Sequence, residues 1–214
     1  MYKTYSSIVQ TLLALSLLIN PVMNPPTPLL SFSSINCNSL NMSSLGTDNH
    51  LLKVYGITSL KSDIIFLSDI RLGNASGNPN INAVNKSFRC NPYCAYRLIT
   101  NSKTSKRGVG ILIKNSISFS VLREFRDEDD NILGLCIDID GKLISLCAVY
   151  GPNKTDENFF VKLTECIRTL NCANLVIAGD WNCTVSCLND ENNIDILNMR
   201  QPPNARHSNL LKKV

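Results

Sequence analysis

Runs of consecutive apolar residues, each closed by a polar residue, recur along the chain and predict buried β-strands. Residues 63–69 and 175–180 fit this pattern best, and both runs end on a carboxylate, Asp69 and Asp180. Further strands are predicted for residues 29–38, 108–113, 117–122, 133–139 and 143–150. The last two flank Asp140-Gly141, a pair that favours the tight turn of a β-hairpin.

Apolar residues at helical spacing predict two helices, over residues 51–60 and 158–170. Residues 71–87 are rich in Asn and Gly and show no period, so we predict a loop there, and residues 127–131 form an acidic turn. Hairpins therefore alternate with strand–helix–strand units. This alternation favours an α/β or α+β sandwich with at least partly antiparallel sheets.

The composition fits one ordinary globular domain. The chain has 214 residues, of which 44% are hydrophobic and 18% are charged. These values exclude a collagen-like, coiled-coil or broadly disordered protein, because apolar residues suffice for a core. The net charge of +4 is compatible with a polyanionic partner without requiring one.

The cysteines and histidines argue against a zinc site. The nine cysteines include no Cys-x-x-Cys pair, and neither His50 nor His207 lies at zinc-binding spacing. We expect both histidines on the surface. Cys136 and Cys147 lie inside apolar runs and are predicted to be buried free thiols, which indicates a reducing compartment.

Residues 1–30 form an apolar, proline-rich leader that we do not expect to belong to the fold. Its charged start and short apolar centre are those of a secretory signal, but it has no small-residue cleavage motif before the prolines. The odd number of cysteines also opposes secretion. We therefore expect an intracellular protein, with secretion as the alternative.

Polar side chains follow the predicted strands at their carboxyl ends. Asn38 follows the first strand, Asp69 follows the second, and Asp180 and Asn182 follow the last. Each residue alone is also compatible with a turn or a helix cap. Together they predict a ligand site, because strand ends hold exposed polar groups rigidly.

Five segments, in this order, resemble blocks of the endonuclease/exonuclease/phosphatase superfamily. Their amino-acid sequences are most similar to those of the apurinic-type endonuclease domain of LINE-type, non-long-terminal-repeat retrotransposons. The segments are Ile35-Asn36-Cys37-Asn38-Ser39-Leu40, Ile64-Ile65-Phe66-Leu67-Ser68-Asp69-Ile70-Arg71-Leu72, Arg107-Gly108-Val109-Gly110-Ile111-Leu112-Ile113, Ala148-Val149-Tyr150-Gly151-Pro152-Asn153 and Val176-Ile177-Ala178-Gly179-Asp180-Trp181-Asn182.

The resemblance implies a four-layer α/β/β/α sandwich of the DNase I-like type. It also implies a phosphodiesterase that depends on Mg²⁺ or Mn²⁺ and nicks target DNA for retrotransposition. The implied partners are DNA and a reverse transcriptase domain in an intact element. A functional protein would act in the nucleus, and no stable membrane association is expected.

The resemblance also assigns roles to individual residues. Asn38 and Asp69 would hold the metal ion. Asp180 would orient or deprotonate the attacking water, Asn182 would donate to the phosphate, and Tyr150 would lie beside the scissile group. These roles match the chemistry, since Mg²⁺ prefers oxygen ligands and phosphodiester hydrolysis requires a positioned water and hydrogen-bond donors.

For DNA contact, the resemblance points to Arg107 and Asn153. Residues 86–126, which include Arg107, carry nine basic residues with Glu124 as the only acid, and this excess could follow a phosphate backbone. An ordinary solvated face, balanced by the acidic turn at residues 127–130, is the alternative interpretation. The basic residues are Lys86, Arg89, Arg97, Lys103, Lys106, Arg107, Lys114, Arg123 and Arg126.

Two departures from the family pattern keep other hypotheses open. The family carries Glu where this chain has Asp69. The Ser-Asp-His block that closes the family's domain is absent from this sequence. We therefore expect residues 31–214 to be a partial domain, incomplete at its C-terminus. The alternatives are a catalytically inactive remnant of a retrotransposon endonuclease, another phosphoesterase of the superfamily, and a secreted DNase-like enzyme.

Overall fold

The structure is a computed structural model that describes residues 29–41, 47–73, 79–91, 95–154 and 156–182. Most of the predicted leader and all residues after Asn182 lie outside these ranges, and so does His207. The described elements are, in chain order, β1 (Phe32–Asn36), α1 (Thr47–Thr58), β2 (Ile64–Ser68), α2 (Pro79–Arg89), β3 (Tyr96–Asn101), β4 (Val109–Lys114), β5 (Ser120–Arg126), β6 (Ile132–Ile139), β7 (Lys142–Tyr150), α3 (Glu157–Leu170) and β8 (Leu175–Asp180).

The strands form two mixed four-stranded sheets. The first sheet has the order β1-β2-β4-β3 and the second β5-β6-β7-β8. Each sheet contains one parallel pair, β1 with β2 and β7 with β8, and its other pairs are antiparallel. The mixture follows from the connections: α1 and α3 each link parallel neighbours, whereas short segments without a helix link the antiparallel pairs β3–β4, β5–β6 and β6–β7.

Alternation along the strands builds three apolar clusters. In β2, Ile64 and Phe66 pack between the two sheets, whereas Ile65 and Leu67 pack against α1 and α2. On the far side, Phe159 and Leu163 of α3 pack against the second sheet. The layers are therefore helices, sheet, sheet and helix, and the predicted four-layer α/β/β/α sandwich is confirmed.

Helix α2 and strands β3 and β5 differ from the sequence-based predictions. The predicted loop over residues 71–87 is wrong in its second half, where α2 runs from Pro79 to Arg89. Val84 and Phe88 of this helix are fully buried and Ile81 packs beside them, but the surrounding Asn residues, weak helix formers, hid the period. Strand β3 was not predicted, and β5 begins three residues later than expected.

His50 is buried, so the prediction of a surface histidine is wrong. Its Nδ1 lies 3.1 Å from the Leu40 carbonyl and its Nε2 lies 3.2 Å from the Ser87 hydroxyl, between α1 and α2. Burial lowers the pKa of His50. The prediction for Cys136 and Cys147 is confirmed, because both are free thiols with no exposed surface.

None of the helices in the described ranges is both long and apolar enough to cross a membrane.

Candidate active site

The carboxyl ends of the two parallel strand pairs meet at one end of the sandwich. Asn36 is the last residue of β1, and its Nδ2 donates to Asp180 Oδ2 at 2.6 Å, across the two sheets. Tyr150 closes β7 and pairs in register with Asp180, the last residue of β8. Asp69 directly follows β2. The fold therefore gathers polar groups from four strands, and we call this group the strand-end site.

Asp69 and Arg71 form a two-point ion pair. Arg71 Nε and Nη2 donate to Asp69 Oδ1 and Oδ2, both at 2.7 Å. The side chain of Asp69 is 5% exposed and that of Arg71 is 39% exposed. Both residues have a positive φ, 56° and 51°, which turns the chain so that side chains two positions apart can meet. The bond to Asp69 raises the pKa of Arg71, which therefore stays charged.

Tyr150 is half-buried among these charges. Burial raises the pKa of its hydroxyl, and the negative charges of Asp69 and Asp180 raise it further. The Arg71 guanidinium and the Asn182 amide, which lie beside the hydroxyl, offset part of this shift. Tyr150 therefore keeps its proton at neutral pH and can donate a hydrogen bond.

Asp180 and Asn182 are fixed by a tight turn after β8. Asp180 Oδ1 accepts from the backbone N–H of Asn182 at 2.9 Å, and Asn182 Nδ2 donates to the Gly151 carbonyl at 2.5 Å. Gly151 in turn donates its N–H to the Asp180 carbonyl at 2.7 Å. Behind the turn, Trp181 packs edge-on against Phe159 with ring centroids 6.5 Å apart. The carboxylate thus has a defined direction.

Four of the predicted residues therefore lie together: Asp69, Tyr150, Asp180 and Asn182. Asn38 lies two residues past β1, is exposed, and has a φ of 44°. Its backbone N–H donates to Asn36 Oδ1 at 3.0 Å. Its proposed role as a metal ligand stays a prediction.

Sequence reasoning missed Asn36, Arg71 and Lys53. Lys53 of α1 donates to three successive carbonyls, those of Cys37, Asn38 and Ser39, at 2.7–2.9 Å, and so holds the loop after β1. The available signal for Asn36 was its place directly after Ile35, the last apolar residue before the polar segment Asn36–Ser39 apart from Cys37. A strand boundary is uncertain by one or two residues from sequence alone, and that margin separates Asn36 from Asn38.

Arg107 and Asn153 flank the strand-end site. Arg107 is exposed, and its carbonyl accepts from the Arg71 N–H at 3.1 Å. In the orientation that satisfies both ends of its amide, Asn131 donates through Nδ2 to the Tyr150 carbonyl at 3.1 Å. The Asn131 Oδ1 then accepts from Arg107 Nη1 at 3.2 Å. Asn153 is exposed just beyond Gly151. The structure therefore places both residues beside the site, and their contact with DNA stays a prediction.

The donor groups fit a hard divalent cation. Asp69 and Asp180 supply carboxylate oxygens at this end of the sandwich, whereas Asn36 turns its Nδ2 toward Asp180 and its Oδ1 toward the Asn38 N–H. Mg²⁺ in phosphate chemistry uses one or two carboxylates plus water and substrate oxygens. Among the described residues there is no group of three or more His, Cys, Asp or Glu side chains placed to hold a metal. A cation held by these carboxylates would take its remaining ligands from water and the substrate.

No family model and no curated protein matches this chain. Solved structures are similar at low identity. An AP endonuclease from Archaeoglobus fulgidus has a TM-score of 0.49 and 15% identity, over 74% of this chain and 59% of that one. The endonuclease domain of TRAS1, a telomere-specific non-LTR retrotransposon, has a TM-score of 0.47 and 13% identity, over 73% and 60%.

A 3′-5′ exonuclease from Neisseria meningitidis has a TM-score of 0.47 and 18% identity, over 73% of this chain and 59% of that one. The chain thus spans about three fifths of the length of these three structures.

Proposed function

We propose that the chain belongs to the endonuclease/exonuclease/phosphatase superfamily and acts as a phosphodiesterase that nicks DNA. The observation that carries the proposal is the strand-end site, where two carboxylates, a guanidinium, a protonated tyrosine and two amides converge from both sheets. These are the groups that phosphodiester hydrolysis needs, namely a base, donors to the phosphoryl oxygens and ligands for a cation.

Asp69, with Asn36 or Asn38, would hold Mg²⁺ or Mn²⁺. A bound cation neutralises the charge that develops on the phosphoryl and leaving oxygens. Arg71 already neutralises Asp69, so a cation would share this carboxylate with the guanidinium. The shorter Asp69 side chain would reach such a cation through a backbone shift or a bridging water.

Asp180 is the proposed base. Asn36 and the Asn182 N–H each bind one of its oxygens, so the carboxylate cannot rotate freely and can hold an attacking water in one direction. Arg71, Tyr150 and the Asn182 amide would donate to the phosphoryl oxygens. Tyr150 suits this role because it is protonated at neutral pH.

The substrate would reach the site past a basic loop. Lys103, Lys106 and Arg107 are exposed on the segment before β4, and the carbonyl of Arg107 is bonded to the Arg71 N–H. Such a loop can follow phosphates without reading base sequence. In the proposed setting the nick is made in the nucleus, and a partner reverse transcriptase primes from the new 3′ hydroxyl.

The test is nicking of supercoiled plasmid by the purified chain in Mg²⁺ or Mn²⁺. We expect Asp180→Asn, which keeps the shape of the side chain, to lower the rate by about 10²- to 10⁴-fold. Asp129→Asn is the matched control, since it removes the same charge from an exposed acidic turn and should keep the wild-type rate. Equal nicking by both variants, or none by the wild-type chain in either metal, would overturn the proposal.

A further inference from the structure

A pocket with two arginines lies at the other end of the sandwich. It has a volume of about 320 Å³, and we call it the basic pocket; it is lined by Arg89, Arg97, Asn115, Ile117 and Phe119. Arg97 pairs with Ile113 near the end of β4, whereas the strand-end site lies beside Val109, where β4 begins. The length of β4, about 17 Å, therefore separates the basic pocket from the strand-end site.

The arginines of the basic pocket are available to a ligand. Arg97 lies over the Phe119 ring, with its guanidinium carbon 4.9 Å from the ring centroid. This contact uses one face of the guanidinium, so its outer face and its N–H edge stay open. Both Arg89 and Arg97 are exposed, and neither forms an ion pair with any residue that the structure describes.

A second cavity of about 280 Å³ shares Arg89 with the basic pocket; its lining residues are Asn82, Asn85, Lys86, Arg89 and Cys90. The Asn85 side-chain oxygen is buried and has no hydrogen-bond partner within the described ranges. No acidic side chain is found among the described residues that line either cavity. Unopposed positive charge beside an unsatisfied amide oxygen is suited to an anionic ligand that also carries hydrogen-bond donors.

We propose that the basic pocket and its adjoining cavity bind single-stranded nucleic acid. Lys86 and Arg89 would contact phosphates, and a base would stack on the open face of the Arg97 guanidinium, which Phe119 supports from behind. Stacking on a guanidinium requires an unpaired base, since the bases of a duplex are already stacked on each other. The choice of nucleic acid as the partner rests on the proposed function, whereas the anion preference follows from the pocket itself.

The double variant Arg89→Ala/Arg97→Ala tests the proposal. Binding of a fluorescently labelled 12-nucleotide single strand is measured by anisotropy in EDTA, where no cleavage occurs, between 50 and 200 mM salt. We expect an affinity loss of about tenfold or more, and a decrease of about 0.7 in the slope of log K against log salt, the value for the one phosphate contact that Arg89 makes. Arg97→Lys keeps the charge but loses the flat stacking surface, so it should lose affinity with little change in slope.

Lys142→Ala/Arg168→Ala is the matched control, because it removes two exposed charges outside both cavities. If the two double variants give the same affinity and the same salt slope, the proposal is wrong. It is also wrong if 10 mM inorganic phosphate displaces the oligonucleotide from the wild-type chain as well as excess unlabelled strand does. Failure of the chain to nick plasmid would overturn the proposed function. It would not affect the binding measurement, which is made in EDTA without cleavage.

Discussion

Asn36 holds together the two halves of the strand-end site. Its Nδ2 donates to Asp180 and its Oδ1 accepts from the Asn38 N–H. Asn38, which the sequence pattern favoured, lies in the loop that Lys53 ties down through backbone carbonyls. Asn36 thus bonds to Asp180 through its side chain, whereas the hydrogen bonds described for Asn38 are made by its backbone.

Substitution of each asparagine separates the two assignments. We expect Asn36→Ala to slow plasmid nicking by about 10²-fold or more, the usual effect of removing a positioned donor. Asn38→Ala leaves the Asn36–Asp180 bond intact and should have the smaller effect. Nicking rates are measured in Mg²⁺ under single-turnover conditions. A larger decrease in rate for Asn38→Ala than for Asn36→Ala would show that Asn38 is the more important of the two residues.

At the level of elements, the parallel pairing of β7 and β8 depends on Gly179. Its φ is 150°, and a Cβ at this position would lie 1.9 Å from the Val149 carbonyl oxygen. The close approach brings Asp180 into register with Tyr150. Any side chain at position 179 would therefore push apart the two strands that bring Tyr150 and Asp180 to the strand-end site.

Alanine substitution at two glycines gives opposite expected results. Gly179→Ala should lower the free energy of unfolding by about 2–3 kcal/mol because it forces the strands apart. Gly56 lies within α1 with no heavy atom within 4 Å of an added Cβ, so Gly56→Ala should raise it by up to about 1 kcal/mol. Urea denaturation measures both, and equal stability of the two variants would contradict the close approach at Gly179.

The sequence was informative wherever an element carried a clear apolar period. Strands β2 and β8, helix α3 and the β6–β7 hairpin were all predicted, as were the carboxylates that end the two strands. Helix α2 was not, because its buried residues Val84 and Phe88 are set among asparagines. Arg71 was missed because its ion pair with Asp69 depends on positive φ angles at both residues, which leave no pattern in the sequence.

On the scale of the whole molecule, His50 couples stability to pH. Burial holds its pKa below the ordinary value of 6.5, so the folded state favours the neutral ring. This contribution to stability is complete above pH 6.5 and declines as the pH falls below that value. The ring bridges Leu40, in the loop after β1, to Ser87 of α2, and its protonation would therefore act on two elements at once.

Calorimetry at pH 7.5 and 5.5 tests this coupling. Between pH 7.5 and 5.5 the melting temperature of the wild-type chain should fall further than that of His50→Gln. Glutamine keeps the hydrogen-bonding capacity but has no titrating ring. Between pH 8.5 and 7.5 the two should change in parallel, because the histidine is neutral at both values. A pH response that is the same in both proteins would show that His50 does not carry the effect.

The hydrogen bond from Asn36 to Asp180 joins residues that are 144 positions apart. Each sheet is built from its own consecutive stretch of chain, and within the described residues the chain passes from one sheet to the other once, after Lys114. Either sheet can thus form by pairing near neighbours, whereas the strand-end site exists only after the sheets have docked. During refolding, nicking activity should therefore recover later than the spectroscopic signal of the β-strands, because it reports the last step of folding.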